Sequence, residues 1–481
     1  MLKFPPAKDI QRLNDYETNE KIFLGEHFDA FNIITGGEFK AELSKLDRLR
    51  YVAVNFGGMI SKLSADMLFE EFPKITMPEQ DEFIQELIES NNLKTQFYES
   101  ALENSYRGDA IFQVSGLDKK VIIEDLNPGT YFAEYDESNV RREPKSHNFA
   151  WKVGIGGLNA LTGSQRLGMF LKKHLKGSIE YRLYEIDSAG TVLGELTPIS
   201  AYFPDIVNPI EKTNVDDFLV VHVPNYRVNS RFYGISDYKD LISLFTAIEN
   251  RVTKVDNILD KHGDPILAVP EGVLDEEGNV NKKSFGVIEV PTDAGSGQKP
   301  EYIVWDANLD SAFKEIDKLV EFLFMTSETS QAAFGLDTQG AAESGRALKY
   351  KLLRTIAKKH RKELYYDVAI KKLLSVACKF AKANNFTAGD LAWSGEIGKV
   401  QIEWQDGIIN DAIETLEIEE KKQAMGISSD VDIIQRVEGI SESDAEEKVA
   451  KIQKQKKDAM PSFAVNPFNK KDPANNQDGQ I

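Results

Sequence analysis

Cysteine is nearly absent from this chain. Cys378 is the only one in 481 residues, so no intrachain disulfide can form and a disulfide-stapled secreted domain is excluded. Its setting, LLSVACKFA, reads as a buried, inert thiol, and a reducing cytoplasm fits it. Long apolar runs are missing as well. No stretch approaches the ~18–20 apolar residues of a membrane span, and the first residues, MLKFPPAKDIQRLNDYE, contain no apolar signal segment. The expectation is a soluble protein, without a membrane partner, made inside a cell. Positive charge is in deficit: the formal charge is −19 and the pI near 5.0. That balance argues against a generic nucleic-acid coat, but not against DNA that passes nearby without being gripped.

Signatures of catalysis are missing too. The patterns GxxxxGK[ST], HExxH, CxxC and GxSxG do not occur. The histidines, at 27, 147, 174, 222, 262 and 360, are scattered. His222, in VVHVP, reads as a structural strand histidine. His262 and His360 lie near a helix end and on a basic helix face, where a dipole contact or plain solvation suffices. Acidic pairs such as Asp216-Asp217 and Glu276-Glu277 fall in turn-like segments. Nothing converges on acid–base, metal or cofactor chemistry. No catalytic residue, metal ligand or cofactor is therefore assigned, and the chain does not read as an enzyme.

What the chain does contain is organised in blocks, about three domains or sub-domains by length. The N-terminal stretch, to about residue 125, reads as helical. SKLDRLRYVAVNFGGMISKLSADMLF has helical spacing interrupted by Gly57-Gly58, and Gly108 stops a later helix. From Asp109 the period changes. AIFQVSG, KVIIEDL, TYFAEYD, FAWKVGI, IEYRLYEID and FLVVHVP are short runs rich in β-branched and aromatic residues, separated by turn formers. They predict a mostly antiparallel block over roughly 110–224, joined to helices as an α+β fold.

Three long helices follow. The first is read from an N-cap at Ser236-Asp237 to about Lys261, where HGDP stops it. Its apolar positions, Leu241, Phe245, Ile248, Val252, Val255 and Leu259, step by four and three, the narrow seam of a helix that packs on other helices. The second, from Leu309 to about Met325, carries a matching seam at Leu309, Phe313, Ile316, Val320 and Leu323. Between them PILAVP, SFGVIEVP and EYIVWDA predict a small β module at the tip of an out-and-back hairpin. The third is read from near Ser344 to about Asn384. Its first half is basic and amphipathic; its second half is apolar over most of its circumference and should be buried. VQIEW is a further strand. Beyond Asp411 come short acidic helices, the last two opened by Ser/Asp caps, and a tail of turn and disorder composition.

Several stretches in this order resemble the portal proteins of tailed bacteriophages, of the siphophage head-tail connector type, over roughly residues 40–460. VVHVPNYRVNSRFYGISDYKDLISLF is similar to the family's segment entering the first stem helix, with His222, Asn225, Gly234 and Ser236 in the expected order. AAFGLDTQGAAESGRALKYKL resembles the loop leading into the tunnel helix. SYRGDAIFQV and IEDLNPGTYFAEYD resemble the wing. IEWQDGIINDAIETLEIEEKKQAMGISSDVDII resembles the closing strand and crown.

The resemblance implies a mainly helical portal-like fold with long stem and tunnel helices. It implies a wing over 1–235, stem helices over 236–261 and 306–334, a β clip over 262–305 and a tunnel loop over 335–345. A tunnel and wing helix would cover 346–385, a wing strand 386–410, a crown 411–460 and a disordered tail 461–481. It implies a homo-oligomeric ring, a dodecamer, at one capsid vertex of the virion, assembled in the host cytoplasm. Double-stranded DNA would be packaged and ejected through it. The terminase large subunit, a head-tail adaptor protein, and major capsid and scaffolding proteins would be its partners.

In that frame Gly335, Leu336, Asp337, Thr338, Gln339, Gly340, Glu343 and Ser344 would face the channel. Arg346, Lys349, Lys351 and Arg354 would either touch phosphates or pair with acids of a neighbouring copy, the alternative being an ordinary solvated face. The acidic turn at Asp275, Glu276, Glu277 and Asn279 would be a docking surface for the packaging motor. Two slender rods and a small tip bury too little alone, and copies standing round an axis would complete them. The readings from other classes are an intracellular Mg²⁺-dependent nucleic-acid-processing enzyme, which needs a carboxylate cluster, and another virion scaffold.

Overall fold

The computed structural model describes residues 3–39, 51–158, 165–263, 266–270, 287–290, 301–303, 309–336, 349–405, 419–438 and 442–459. The chain forms two compact units, one of Met1–Ala342 with Ala347–Gly407, the other of Glu343–Arg346 with Ile408–Ile481.

In the first unit the N-terminal helices are α1 (Ile10–Leu24), α2 (His27–Ile34), α3 (Phe56–Phe69), α4 (Asp81–Ser90) and α5 (Leu93–Arg107). Gly57-Gly58 does not interrupt a helix. It lies in the first turn of α3, where the Gly58 N–H donates to the Asn55 side chain at 2.7 Å as the N-cap. A short strand, β1 (Lys74–Thr76), lies between α3 and α4.

The β block is antiparallel throughout, as its alternation predicts. Strands β2 (Asp109–Leu117), β3 (Lys120–Leu126) and β10 (Val220–Pro224) form one sheet in the order β10-β2-β3. β4 (Tyr131–Glu134), β5 (Ser146–Leu158), β6 (Gln165–Leu175), β7 (Ser178–Ile186) and β8 (Val192–Glu195) form a second, with β9 (Ile210–Lys212) also on β7. Strand β6 escapes the sequence reading because Gly168 and the Lys172-Lys173 pair break its alternation. Within the sheet the two lysines diverge: Lys172 reaches Gln113 at 2.9 Å and Lys173 reaches Glu134 at 3.3 Å.

The long helices are α6 (Ile242–Gly263), α7 (Leu309–Thr326) and α8 (Leu353–Asn384). Between α6 and α7, strands β11 (Ile266–Pro270), β12 (Val287–Val290) and β13 (Glu301–Ile303) form a small sheet in the order β12-β11-β13. Helices α6 and α7 lie side by side, and Arg251 on one meets Glu315 on the other at 2.8 Å. The expected seam is real but not left open. Leu241 in the turn before α6, Phe245 and Ile248 of α6 and Leu323 of α7 are buried against Ile22, Phe31, Ile60 and Tyr106 of the N-terminal helices. At ~1.5–3 kcal/mol per fully buried side chain, this is a substantial internal core. Farther from it, Leu259 and Phe313 remain about half exposed.

Helix α8 is the spine of the largest core. Tyr366, Ile370, Leu373, Leu374, Ala377 and Cys378 pack against α3, α4, α5 and the first sheet. Burial pushes the Cys378 thiol up to about 12, consistent with an inert role. The expectation of burial all round fails at Leu364 and Val368, which are 70% and 66% exposed on the face turned away from this core. After α8, β14 (Thr387–Ala388) and β15 (Leu391–Ala392) extend the first sheet, and β16 (Gln401–Glu403) pairs with β1. In the second unit, α9 (Asp430–Glu438) opens on a reciprocal cap between Ser429 and Asp432, and α10 (Glu442–Ala459) follows. Glu419 gathers Lys422, Ser428 and Arg436 there.

His147 and His174 stand directly opposite each other on β5 and β6, both buried. His147 Nδ1 meets the Tyr131 hydroxyl at 2.7 Å, whereas its Nε2 and both nitrogens of His174 have no partner among the described residues. Burial holds His147 down to about 3, and His174 lies well below its ordinary value for the same reason. The unfolded chain binds these protons near pH 6.5 and the folded one does not. Stability contributed by the neutral pair is therefore present above pH ~6.5 and lost as pH falls toward about 3, at up to ~1.4 kcal/mol per pH unit for each imidazole. Urea unfolding of H174L should show a shallower acid slope than the parent; an unchanged slope would contradict the assignment.

Candidate functional site

The entrance to α6 is built around a buried aspartate. Ser236-Asp237 does not cap the helix, which begins at Ile242 after a turn over 237–241. The end of α5 holds the pair instead: Ser236 Oγ donates to the Tyr106 carbonyl at 2.7 Å, and the Asp237 N–H donates to the Ser105 carbonyl at 2.9 Å. This needs close backbone approach. A Cβ on Gly234 would sit 2.0 Å from the Gly108 carbonyl oxygen, and Gly108 itself has φ +99°.

The Asp237 carboxylate accepts from Lys362 at 2.8 Å, Ser105 at 2.7 Å and Asn225 at 2.9 Å, with Lys358 at 3.4 Å. Burial opposes its charge, but the two lysines and the hydrogen bonds outweigh it and hold the carboxyl far below its usual range. Burial pushes Lys362 down to about 8 against that same attraction.

A second carboxylate lies nearby, at the end of α7. Glu328 accepts from Arg354 Nη2 at 2.6 Å and from both Nη atoms of Arg361. The hydrogen bond from Arg361 is the main reason its carboxyl titrates below the ordinary range. The chain then turns along α8: the Ser330 N–H donates to Thr355 Oγ1 at 2.9 Å, and Lys358 Nζ donates to the Ser327 carbonyl at 3.1 Å. TSETSQAAFG is thus the end of α7, a turn and a 3-10 helix over Gln331–Phe334. Asn225, Tyr226, Asp240 and Met325 complete the walls of an open cleft of about 550 Å³ beside these ions.

Of the sequence-derived channel residues, Gly335 (φ +68°) ends that 3-10 helix and Leu336 is half exposed. Asp337, Thr338, Gln339, Gly340, Glu343, Ser344 and Arg346 lie outside the described residues, as do Asp275, Glu276, Glu277 and Asn279. Lys349 and Lys351 fall in a helical stretch ended by a turn at Leu352. Arg354 pairs with Glu328 of its own chain, a partner the sequence reading did not foresee. Lys358, Arg361 and Lys362 went unremarked too, although spacings of four and seven put each related pair on one helix face. His222 is structural: its Nε2 meets the buried Asp109 carboxylate at 2.5 Å. Among the described residues no group of three or more His, Cys, Asp or Glu could hold a metal ion, and no helix is long and apolar enough to cross a membrane.

Two paired helices, a small intervening sheet and a third helix that meets them at this ionic cleft make up the described architecture, and comparison with known proteins gives its class. Residues 199–462 match the family described as phage portal protein, SPP1 Gp6-like. That span contains α6 to α10 and the whole cleft. The chain belongs to this portal family. No curated protein sequence matches it. Among solved structures it is similar to a chain of the neck of an empty GTA particle computed with C6 symmetry. Identity there is 10% and the TM-score 0.47, over 82% of this chain and 93% of that one, a likeness too loose to bear on function.

Replacing Asp237 by alanine should leave two lysines facing a buried vacancy and cost ~3–5 kcal/mol of subunit stability, as when one member of a buried ion pair is removed. Urea unfolding checks this; a loss below ~1 kcal/mol would show that the pair behaves like a surface contact.

Proposed function

We propose that the chain is a portal subunit: identical copies close a ring, a dodecamer, at one capsid vertex, and double-stranded DNA enters and leaves through its centre. The observation that carries this is the family match across the helices and the cleft. A second observation supports a homo-oligomer. Phe322 and Met325 of α7 and Leu353, Leu364 and Val368 of α8 are exposed apolar side chains on long helices. Leu353, Ala357, Leu364 and Val368 recur at helical spacing along one exposed face of α8. Such faces suit contact between copies.

In this reading the segment 335–344 faces the channel, and Lys349, Lys351 and the preceding Arg346 lie at its margin. The turn at 275–279 meets the terminase large subunit, and a head-tail adaptor docks on the same end. Capsid and scaffolding proteins contact the outer surface in the virion. The −19 charge of each copy is carried round the ring. Like charge on protein and duplex keeps DNA from adhering, which suits passage more than capture.

Electron micrographs and native mass of the purified chain should show a ring with a hole about as wide as duplex DNA. A monomer with metal-dependent nuclease activity would overturn the reading. Paired L364E and V368E substitutions should abolish the ring while leaving the subunit's circular dichroism and melting temperature within a few degrees of the parent. A ring that persists unchanged would remove this face from the interface.

A further inference from the structure

Glu328 stands where glycine is the ordinary choice. It follows the last turn of α7, the Thr329 N–H returns to the Phe324 carbonyl at 3.0 Å, and Glu328 itself has φ +57°. An L side chain is disfavoured in that left-handed position at the end of a helix. What the glutamate adds is a carboxylate between two guanidinium groups. Arg354 and Arg361 are seven residues apart, two turns along one face of α8, yet both converge on it. Both arginines are more than half exposed, whereas Glu328 is only 24% exposed. The open cleft behind them holds Lys358 and Lys362, which are already committed to Asp237. Without Glu328 the cleft would present four cations against Asp237 and Asp240.

We propose that Arg354 and Arg361 form an anion-binding fork which Glu328 of the same chain occupies as an internal ligand, and that a phosphate of the DNA backbone displaces it. Guanidinium groups pair in the same planar manner with a carboxylate and with a phosphate, so the exchange swaps one oxyanion for another. DNA as the source of the phosphate rests on the portal reading; the fork itself rests on the geometry of these three side chains. The internal carboxylate keeps the fork shut when no duplex is close, so contact with DNA is brief. Because Glu328 joins α7 to the segment 329–336, its release also frees the turn that leads from the stem into that segment.

The test uses the full chain, a short labelled duplex and fluorescence anisotropy at about 50 mM salt, where phosphate contacts are strongest, with assembly state read separately by native mass. E328G removes the carboxylate and suits the left-handed backbone. It should bind the duplex about tenfold more tightly than the parent, a gain that fades with salt and disappears in E328G/R354A/R361A. E328Q, which keeps the side chain's size, should show the same direction of change and provides the reading if E328G does not fold. No gain in either variant, or a gain that survives loss of both arginines, would overturn the fork. A gain shown equally with poly-glutamate would overturn phosphate as the ligand in favour of an acidic protein segment. Failure to form rings alongside an arginine-dependent gain would count against the portal reading and leave the fork standing.

Discussion

A single buried carboxylate, Asp237, sets the geometry of the long helices. It can remain charged in a dry environment only because Lys358 and Lys362 arrive from α8 while Ser105 and Asn225 donate from the opposite side. Those partners belong to the end of α5, the loop after β10 and the basic half of α8. Once the charge is satisfied, the approach of α6 is fixed, because its leading turn begins at this residue. The core below gives the arrangement its stability, with Leu241, Phe245 and Ile248 against the N-terminal helices and Tyr366 to Ala381 against the first sheet. The carboxylate adds a polar constraint at one point of that packing, because Lys358 and Lys362 both reach it.

This division changes the picture of how copies meet. The regular seams of α6 and α7 do not wait for a neighbour; over part of their length they are filled by the chain's own α1, α2 and α3. Exposed apolar side chains remain at the far end of the seams, at Leu259 and Phe313, and on other faces, at Phe322 and Met325 on α7 and along the outer side of α8. A subunit of this kind folds on its own core and still carries surplus apolar surface on its rods. In a ring, that surplus would act between completed subunits rather than complete them.

Much of the architecture was legible because period and punctuation agree. The antiparallel block, the three small strands between two helices, the stop at Gly108 and the inert Cys378 all follow from residue pattern. The failures have physical causes. Strand β6 hides because its lysines serve opposite faces, and a sequence window sees only adjacent charges. Ser236-Asp237 mimics a cap because the same side chains that cap helices also bind distant partners. Leu364 and Val368 look buried because an all-round apolar helix ordinarily is. The ionic cleft was half legible: the basic face of the third helix is plain, but Asp237 lies 121 residues before Lys358 and Glu328 lies 26 before Arg354, in no local pattern. Only the fold brings them together.

Asp237 should tie α5, α6 and α8 into one cooperative unit. Hydrogen exchange of the full chain tests it directly. The Asp237 amide, bonded to the Ser105 carbonyl, and the amides of 358–362 should exchange with the same slow opening as the core around Tyr366. If 358–362 instead exchange quickly and independently while Tyr366 and its surroundings stay protected, the buried ion pairs do not hold the helices together.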